Sequence, residues 1–251
     1  PQDVKDEADV SSLQCMIHSA APCPIPTKQK MLDWWGDTIY EYYAATEGGG
    51  TMATPQQWRE KPGTVGAPWP ISVIKILDDD GKELPAGEIG TVWMKMGEHT
   101  FEYKDDAEKT ERAWGEEGFF TVGDVGELDA DGFLFLRDRK IDMIIAGGVN
   151  IYPAEIESVL LQHPDVLDAA AFGIPHDDFG EQVKACISLV DTAEHEGAAE
   201  RVLEFCREQM GAYKVPRSLD VLDELPRDPN GKLYKRKLRD PYWEGRGSSL
   251  V

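Results

Sequence analysis

The sequence predicts an α+β fold in two parts, and three observations predict it. Residues 13–50 read as strand, helix and strand. The signals over residues 63–137 are all β, strands separated by turns. Beyond Asp138 the apolar spacing changes to a mixture of helical and strand periods. A domain boundary is therefore expected near Arg139–Asp142, giving parts at 1–138 and 139–251.

In the first stretch, Leu13–Ile17 is apolar, Lys28–Trp35 has the length of a short helix, and Thr38–Tyr42 is rich in strand formers. In the second, Val73–Leu77 runs into the turn Asp79-Asp80-Gly81, and Glu88–Met96 follows Pro85-Ala86-Gly87. Residues 126–129 and 132–136 flank Asp129-Ala130-Asp131-Gly132, a hairpin signal. Short strands at this spacing suggest a sheet or a distorted β-barrel subdomain. In the third, Pro153 suits the first turn of a helix, with Glu155 and Glu157 favourable near its N-terminus. Ile156, Val159 and Leu160 then share a face. Val166–Phe172 and Val183–Val190 read as strands, and Ala198–Gln209 as an amphipathic helix.

Composition excludes several functions. The chain has 47 acidic and 26 basic residues, a net charge of −21. That balance argues against nucleic acid or an anionic membrane as partner, since phosphate backbones require a basic face. No run approaches the about 20 apolar residues of a transmembrane helix, and Pro1–Val10 lacks the apolar core of a signal peptide. Cys15, Cys23, Cys186 and Cys206 show no zinc-ligand spacing. They read as reduced thiols of a cytoplasmic protein.

Four segments carry candidate chemistry, and each has an ordinary structural reading beside it. Tyr43-Ala44-Ala45-Thr46-Glu47-Gly48 places an aromatic ring, a hydroxyl and a carboxylate at a strand end, where α/β sheets bind ligands. It also reads as a strand running into a turn. Thr121-Val122-Gly123-Asp124 offers a carboxylate able to accept from two neighbouring hydroxyls, or a turn aspartate. Gly147-Gly148, before Tyr152-Pro153-Ala154-Glu155-Ile156-Glu157, permits positive φ or close backbone approach. Lys232 follows the turn pair Asn230-Gly231, where a lysine is either solvated or presented to a phosphate.

In order, Tyr-x-x-Thr-Glu, Thr-x-Gly-Asp, Arg-x-x-Asp with Gly-Gly and Tyr-Pro-x-Glu-Ile-Glu, and Pro-x-x-x-x-Gly-Lys resemble the adenylate-forming superfamily. That superfamily includes acyl-CoA synthetases, peptide-synthetase adenylation domains and firefly luciferase. The resemblance spans residues 13–239 and is strongest to fatty-acyl-CoA ligases. It implies the last part of a large AMP-binding N-terminal domain (1–138) followed by a mobile C-terminal lid domain (139–251).

Residue by residue, His18-Ser19-Ala20-Ala21-Pro22 resembles the family's Gly-Gly-Ala-Pro loop, which implies backbone contacts of Ala20 and Ala21 with adenine. Tyr43 falls on the stacking aromatic and Tyr42 beside it, with Ala44 where a glycine is common. The resemblance implies that Thr46 contacts the α-phosphate, Glu47 binds Mg²⁺, Asp124 and Arg139 reach the ribose, and Lys232 supports adenylation. It places the hinge at Lys140 and Ile141, where Asp or Lys is usual at the latter position, and a CoA channel at Gly147 and Gly148.

The implied activity is an AMP-forming acid–thiol ligase using ATP, Mg²⁺ and coenzyme A. A carboxylic acid becomes acyl-AMP and then acyl-CoA, with the small domain rotating between steps. A fatty acid is the expected substrate: Ala44 and Ala45 are small and lie near Trp34 and Trp35 in sequence. The family's triphosphate-gripping loop lies upstream of Tyr-x-x-Thr-Glu and is not in this sequence, so the chain alone is expected to be inactive without the N-terminal segment of the same protein. Two other readings stand beside this one, an enzyme that loads a carrier protein and a non-catalytic nucleotide-binding module.

Overall fold

The computed structural model describes residues 2–228 and 231–245. They divide into two compact units, Pro1–Leu136 and Arg137–Val251.

The first unit begins with α1 (Gln2–Glu7), β1 (Met16–His18), α2 (Ile25–Trp35), β2 (Ile39–Ala45), β3 (Gly48–Ala53), α3 (Pro55–Glu60) and β4 (Ala67–Pro68). Strands β1 to β4 make one sheet in sequence order, with β1 and β2 parallel and the remaining pairs antiparallel. Helix α2 returns the chain between the parallel strands, as parallel pairing requires. Pro26 is tolerated in the first turn of α2, where its missing N–H has no helical partner. Thr54 caps α3 reciprocally: Gln57 N donates to Thr54 Oγ1 at 3.2 Å and Thr54 N donates to Gln57 Oε1 at 2.9 Å. Leu32, Ile39, Ala53 and Trp58 form the core between these helices and the sheet.

A second sheet follows, of β5 (Ser72–Leu77), β6 (Gly90–Met96), β7 (Asp124–Leu128) and β8 (Leu134–Arg139), in sequence order. It is an open sheet, with no closed barrel. Ile74, Ile76, Val92, Met94, Phe120 and Leu134 fill its inner face, following the period-2 alternation of the strands. The 126–136 hairpin closes through Asp129, whose amide donates to Phe133 O at 3.0 Å.

One expectation is corrected: the stretch 63–137 is not all β. Between β6 and β7 lies α4 (Ala107–Ala113), started by Asp106, whose Oδ1 accepts from Lys109 N at 3.0 Å. A Glu108–Arg112 pair one turn apart supports its exposed face. Gly66 explains a tight crossing in this unit. At φ +101°, an added Cβ would lie 2.0 Å from the Met52 carbonyl carbon.

In the second unit a 3₁₀ turn at Lys140–Asp142 precedes β9 (Ile144–Ala146), β10 (Val149–Ile151) and α5 (Pro153–Leu160). These are followed by β11 (Val166–His176), β12 (Gly180–Leu189), α6 (Ala198–Gln209), β13 (Ser218–Val221) and α7 (Arg236–Trp243). The sheet runs β10-β9-β12-β11, and β13 pairs with β12 in parallel. Strands β11 and β12 are buried on both faces over Ala169–Ile174 and Val183–Leu189. Ala169, Ala171, Ala185 and Ile187 pack with Ile156, Leu160, Val202 and Cys206 of α5 and α6. Ala170, Phe172, Ile174 and Cys186 face the C-terminal segment through Leu225, Leu233 and Leu238. Burial on both sides is why these strands are continuously apolar in sequence.

Candidate active site

In the first unit the Tyr-x-x-Thr-Glu run is the end of a hairpin. Strands β2 and β3 pair antiparallel with a bulge between Ala44 and Ala45, and Thr46 and Glu47 form the turn. The bulge re-aims the strand end, a device common beside functional sites. Thr46 is exposed and Glu47 is half-buried.

Two hydrogen bonds organise this corner. The Tyr43 hydroxyl donates to Asp124 Oδ2 at 2.6 Å, joining residues from separate sheets. The Tyr103 hydroxyl donates to Glu47 Oε1 at 2.7 Å. Asp124 opens β7 from a turn fixed by Thr121, whose Oγ1 accepts from Gly123 N at 3.0 Å and donates to Val92 O at 2.8 Å. The first residue of Thr-x-Gly-Asp thus sets the backbone from which the last projects. Tyr42 and Tyr43, as neighbours on one strand, face opposite sides of the sheet, so only Tyr43 meets Asp124.

The loop after β1 is tied down by buried charge. Lys28 is 1% exposed, bonds to Glu41 Oε2 and lies 4.8 Å from the centre of the Trp58 ring. His18 Nε2 is 3.2 Å from the same oxygen. Burial alone would push the Glu41 carboxyl up, but the contacts from His18 and Lys28 outweigh it and hold it below the ordinary carboxylate range. From this anchor the chain turns through Ala20 and Ala21, both exposed, with Ala20 at φ +72°. That conformation favours glycine, and Ala20 occupies a glycine position of the Gly-Gly-Ala-Pro pattern.

In the second unit Arg139 is exposed and the Lys140–Asp142 turn follows directly. Asp138 ties this entry to α5: its Oδ2 accepts from Ala154 N at 2.7 Å and its Oδ1 from Arg139 N at 2.8 Å. Burial pushes the Asp138 carboxyl above its usual value. Gly147 and Gly148 are the two central residues of the β9–β10 hairpin, at φ +60° and +80°, so the turn itself calls for glycine at both. Lys232 is exposed at the base of a turn whose tip, including Asn230, lies outside the described residues.

Sequence reasoning missed Tyr103, Thr121 as a positioning group, and the Lys28–Glu41–His18 cluster. Tyr103 carries no motif of its own. The buried lysine gives no signal because its partner lies on another element.

Among the described residues no group of three or more His, Cys, Asp or Glu side chains gathers to hold a metal. A lone carboxylate at Glu47, oriented by a phenol, fits a Mg²⁺ ion that takes its other ligands from phosphates and water.

Known proteins define the class. The profile for AMP-binding enzymes matches residues 1–102, and that for the AMP-binding enzyme C-terminal domain matches residues 155–232. The chain belongs to the adenylate-forming superfamily. It is 38% identical over 230 residues to a 2-succinylbenzoate–CoA ligase of Geobacillus kaustophilus, covering 91% of this chain and 46% of that protein. It is 35% identical over 246 residues to a long-chain-fatty-acid–CoA ligase of Escherichia coli, covering 96% and 42% respectively. Among solved structures, the o-succinylbenzoate coenzyme A synthetase of Bacillus subtilis in complex with ATP and magnesium superposes with a TM-score of 0.82 at 31% identity, covering 96% of this chain and 49% of that one. An amide bond synthetase from Marinactinospora thermotolerans superposes at 0.84 with 33% identity, covering 95% and 49%. The chain thus spans less than half the length of these relatives. No helix among the described residues is long and apolar enough to cross a membrane.

Proposed function

We propose that the whole protein is an AMP-forming acyl-CoA synthetase acting on a fatty acid, and that this chain supplies part of its nucleotide site and its small domain. The observation that carries the reading is the pairing of Tyr43 with Asp124 beside the Thr46–Glu47 turn, in a chain of this family.

In this reading the Tyr43 ring stacks on adenine while its hydroxyl aligns Asp124 for the ribose hydroxyls. Ala20 and Ala21 line adenine through their backbone, with Tyr42 bordering it. Thr46 hydrogen-bonds the α-phosphate, and Glu47, steadied by Tyr103, holds Mg²⁺. The ion, when bound, neutralises phosphate charge. The carboxylate of the acid attacks the α-phosphorus and pyrophosphate leaves. The ammonium of Lys232 faces the charge that builds on the phosphoryl oxygens, and fixed cations aimed at such charge lower the barrier. Arg139 reaches the ribose, and Lys140–Ile141 is the hinge about which the small domain turns. Gly147 and Gly148 then line the slot through which the CoA thiol reaches the adenylate. The cell interior, where ATP and CoA are held, is the corresponding location.

The similarity to an amide bond synthetase supports a second reading, in which the same adenylate is passed to an amine. The test is a panel of carboxylic acids with ATP and the full-length protein, offered free CoA, a phosphopantetheinyl carrier protein or an amine, and read by mass spectrometry. A fatty-acyl-CoA product supports the proposal. Transfer only to carrier protein or amine, or no adenylate from any acid, overturns it.

A further inference from the structure

Glu157, the last residue of the Tyr-Pro-x-Glu-Ile-Glu run, points into the second unit with its side chain 15% exposed. Its Oε1 accepts from Ala171 N at 2.8 Å and lies 2.7 Å from the ammonium of Lys235, itself 16% exposed. Lys235 follows Lys232 by three residues. Burial opposes its charge, but Glu157 and Asp138 outweigh burial and hold the ammonium above its ordinary pKa. A second ion pair grips the other side of the Lys232 turn. Arg227 Nη2 and Nε donate to Asp168 Oδ2 at 2.6 and 3.1 Å, and its Nη1 donates to Gly231 O at 2.6 Å. Within the turn, Asp228 N donates to Lys232 O and Lys232 N donates to Asp228 Oδ1, each at 2.9 Å.

The Lys232 turn therefore stands between two fixed points on different elements, Asp168 on β11 and Glu157 on α5. A buried ion pair adds little net stability, because desolvation cancels most of its attraction, but its hydrogen bonds define geometry. We propose that Glu157 and Lys235 are a positioning pair for the adenylation step, setting where the Lys232 ammonium is presented. The proposal rests on the reading that Lys232 serves adenylation. It gives the second glutamate of the run a role in the first half-reaction, although its own helix lies next to the Gly147–Gly148 turn assigned to the second.

The experiment uses the full-length protein with Glu157→Gln/Lys235→Met, a neutral pair of matching size in which the glutamine oxygen can still accept from Ala171 N. Lys235→Arg and Lys232→Ala run beside it. Adenylation is followed by pyrophosphate exchange, the second step by thioester formation from supplied acyl-AMP. Amide hydrogen exchange at Asp228 and Lys232 reports the turn directly. The expected result for the double variant is a loss of about 10²-fold in the kcat of adenylation, the scale of a misplacement of about 1 Å. Thioester formation should be retained, exchange at the two amides should be faster, and exchange in β11 and β12 should be unchanged. Lys235→Arg, which keeps the cation beside Glu157, should retain adenylation. If Lys232→Ala abolishes adenylation while the double variant keeps it, or if the double variant loses both half-reactions equally, the positioning role is overturned and the functional reading stands. If Lys232→Ala leaves adenylation intact, both fall.

Discussion

The Tyr43 hydroxyl and the Asp124 carboxylate are 2.6 Å apart, and their bond links the end of one sheet to the start of a strand in the other. A phenol that shares a carboxylate in this way can steady it for a diol, and the two halves of that role are separable. Tyr43→Phe keeps the ring and loses the bond, worth about 1.5–3 kcal/mol when the acceptor is charged. On the full-length protein it should raise the KM for ATP about tenfold or less, with Tyr43→Ala and Asp124→Ala more severe. Initial-rate kinetics over an ATP series reads this directly.

Tyr103 steadies Glu47 as Tyr43 steadies Asp124. Removal of a hydrogen bond that orients a metal-binding group commonly costs 10–100-fold in metal affinity, so Tyr103→Phe should raise the Mg²⁺ concentration for half-maximal adenylation about tenfold. A magnesium titration at saturating ATP checks this, with Tyr103→Phe expected to reach near the parental rate at high magnesium.

Ala20 adopts φ +72°, where a β-carbon is unfavourable. Ala20→Gly relieves that strain but loosens the unfolded chain, leaving a net gain of about 0.5–1 kcal/mol. Urea unfolding should show a raised midpoint with unchanged slope. A lowered midpoint would mean that the loop is held by something other than its backbone conformation.

Glu41 gives the first unit an acid-side pH dependence. Its folded carboxyl is held below the ordinary value of 4.5, so the folded state binds its proton less readily than the unfolded state. The resulting stabilisation is complete above the unfolded value and is lost as the pH falls through the lowered folded value. Glu41→Gln should remove this acid-side slope. At neutral pH it should cost about 3–5 kcal/mol, because Lys28 would be left buried without its partner. Glu41→Gln/Lys28→Met should recover much of the loss. Thermal melts from neutral to acid pH test all three.

The cysteines should separate by reactivity. Burial pushes the thiols of Cys186 and Cys206 up to about 11, and they are 3% and 0% exposed. Both should resist a thiol reagent until the protein unfolds, since the thiolate is the reactive form. Cys15 is exposed and should label first, as peptide mapping by mass spectrometry would show.

Legibility in the sequence followed the physics of each element. Helix α6 runs over the expected residues because its apolar positions repeat at the helical period, and β5 and β6 were readable from alternation. Helix α4 was hidden because it has little apolar face and depends on Asp106 and a surface charge pair. Helix α7 was hidden because it is strongly polar and contains Pro241. Of the proposed functional residues, Thr46, Glu47, Asp124 and Lys232 were visible as ordered motifs. The groups that hold them in place were not. Tyr103, Lys28 and Lys235 act through partners distant in sequence, and a single chain contains no local sign of such a pairing.

The long β11–β12 ladder also bears on how the second unit is assembled. Only Asp177, Asp178 and Phe179 separate two strands paired in continuous register from Asp168–Ser188 to His176–Gly180, with a bulge before the outermost pair, Val166–Leu189. Most contacts of this pair close short loops, whereas β13 must wait for α6 to return the chain to β12. Short loops cost the least entropy to close, so the hairpin is the natural nucleus and β13 a late arrival. Substitutions inside the ladder, at Ala170 or Ala185, should then slow folding, while those in β13 should mainly hasten unfolding.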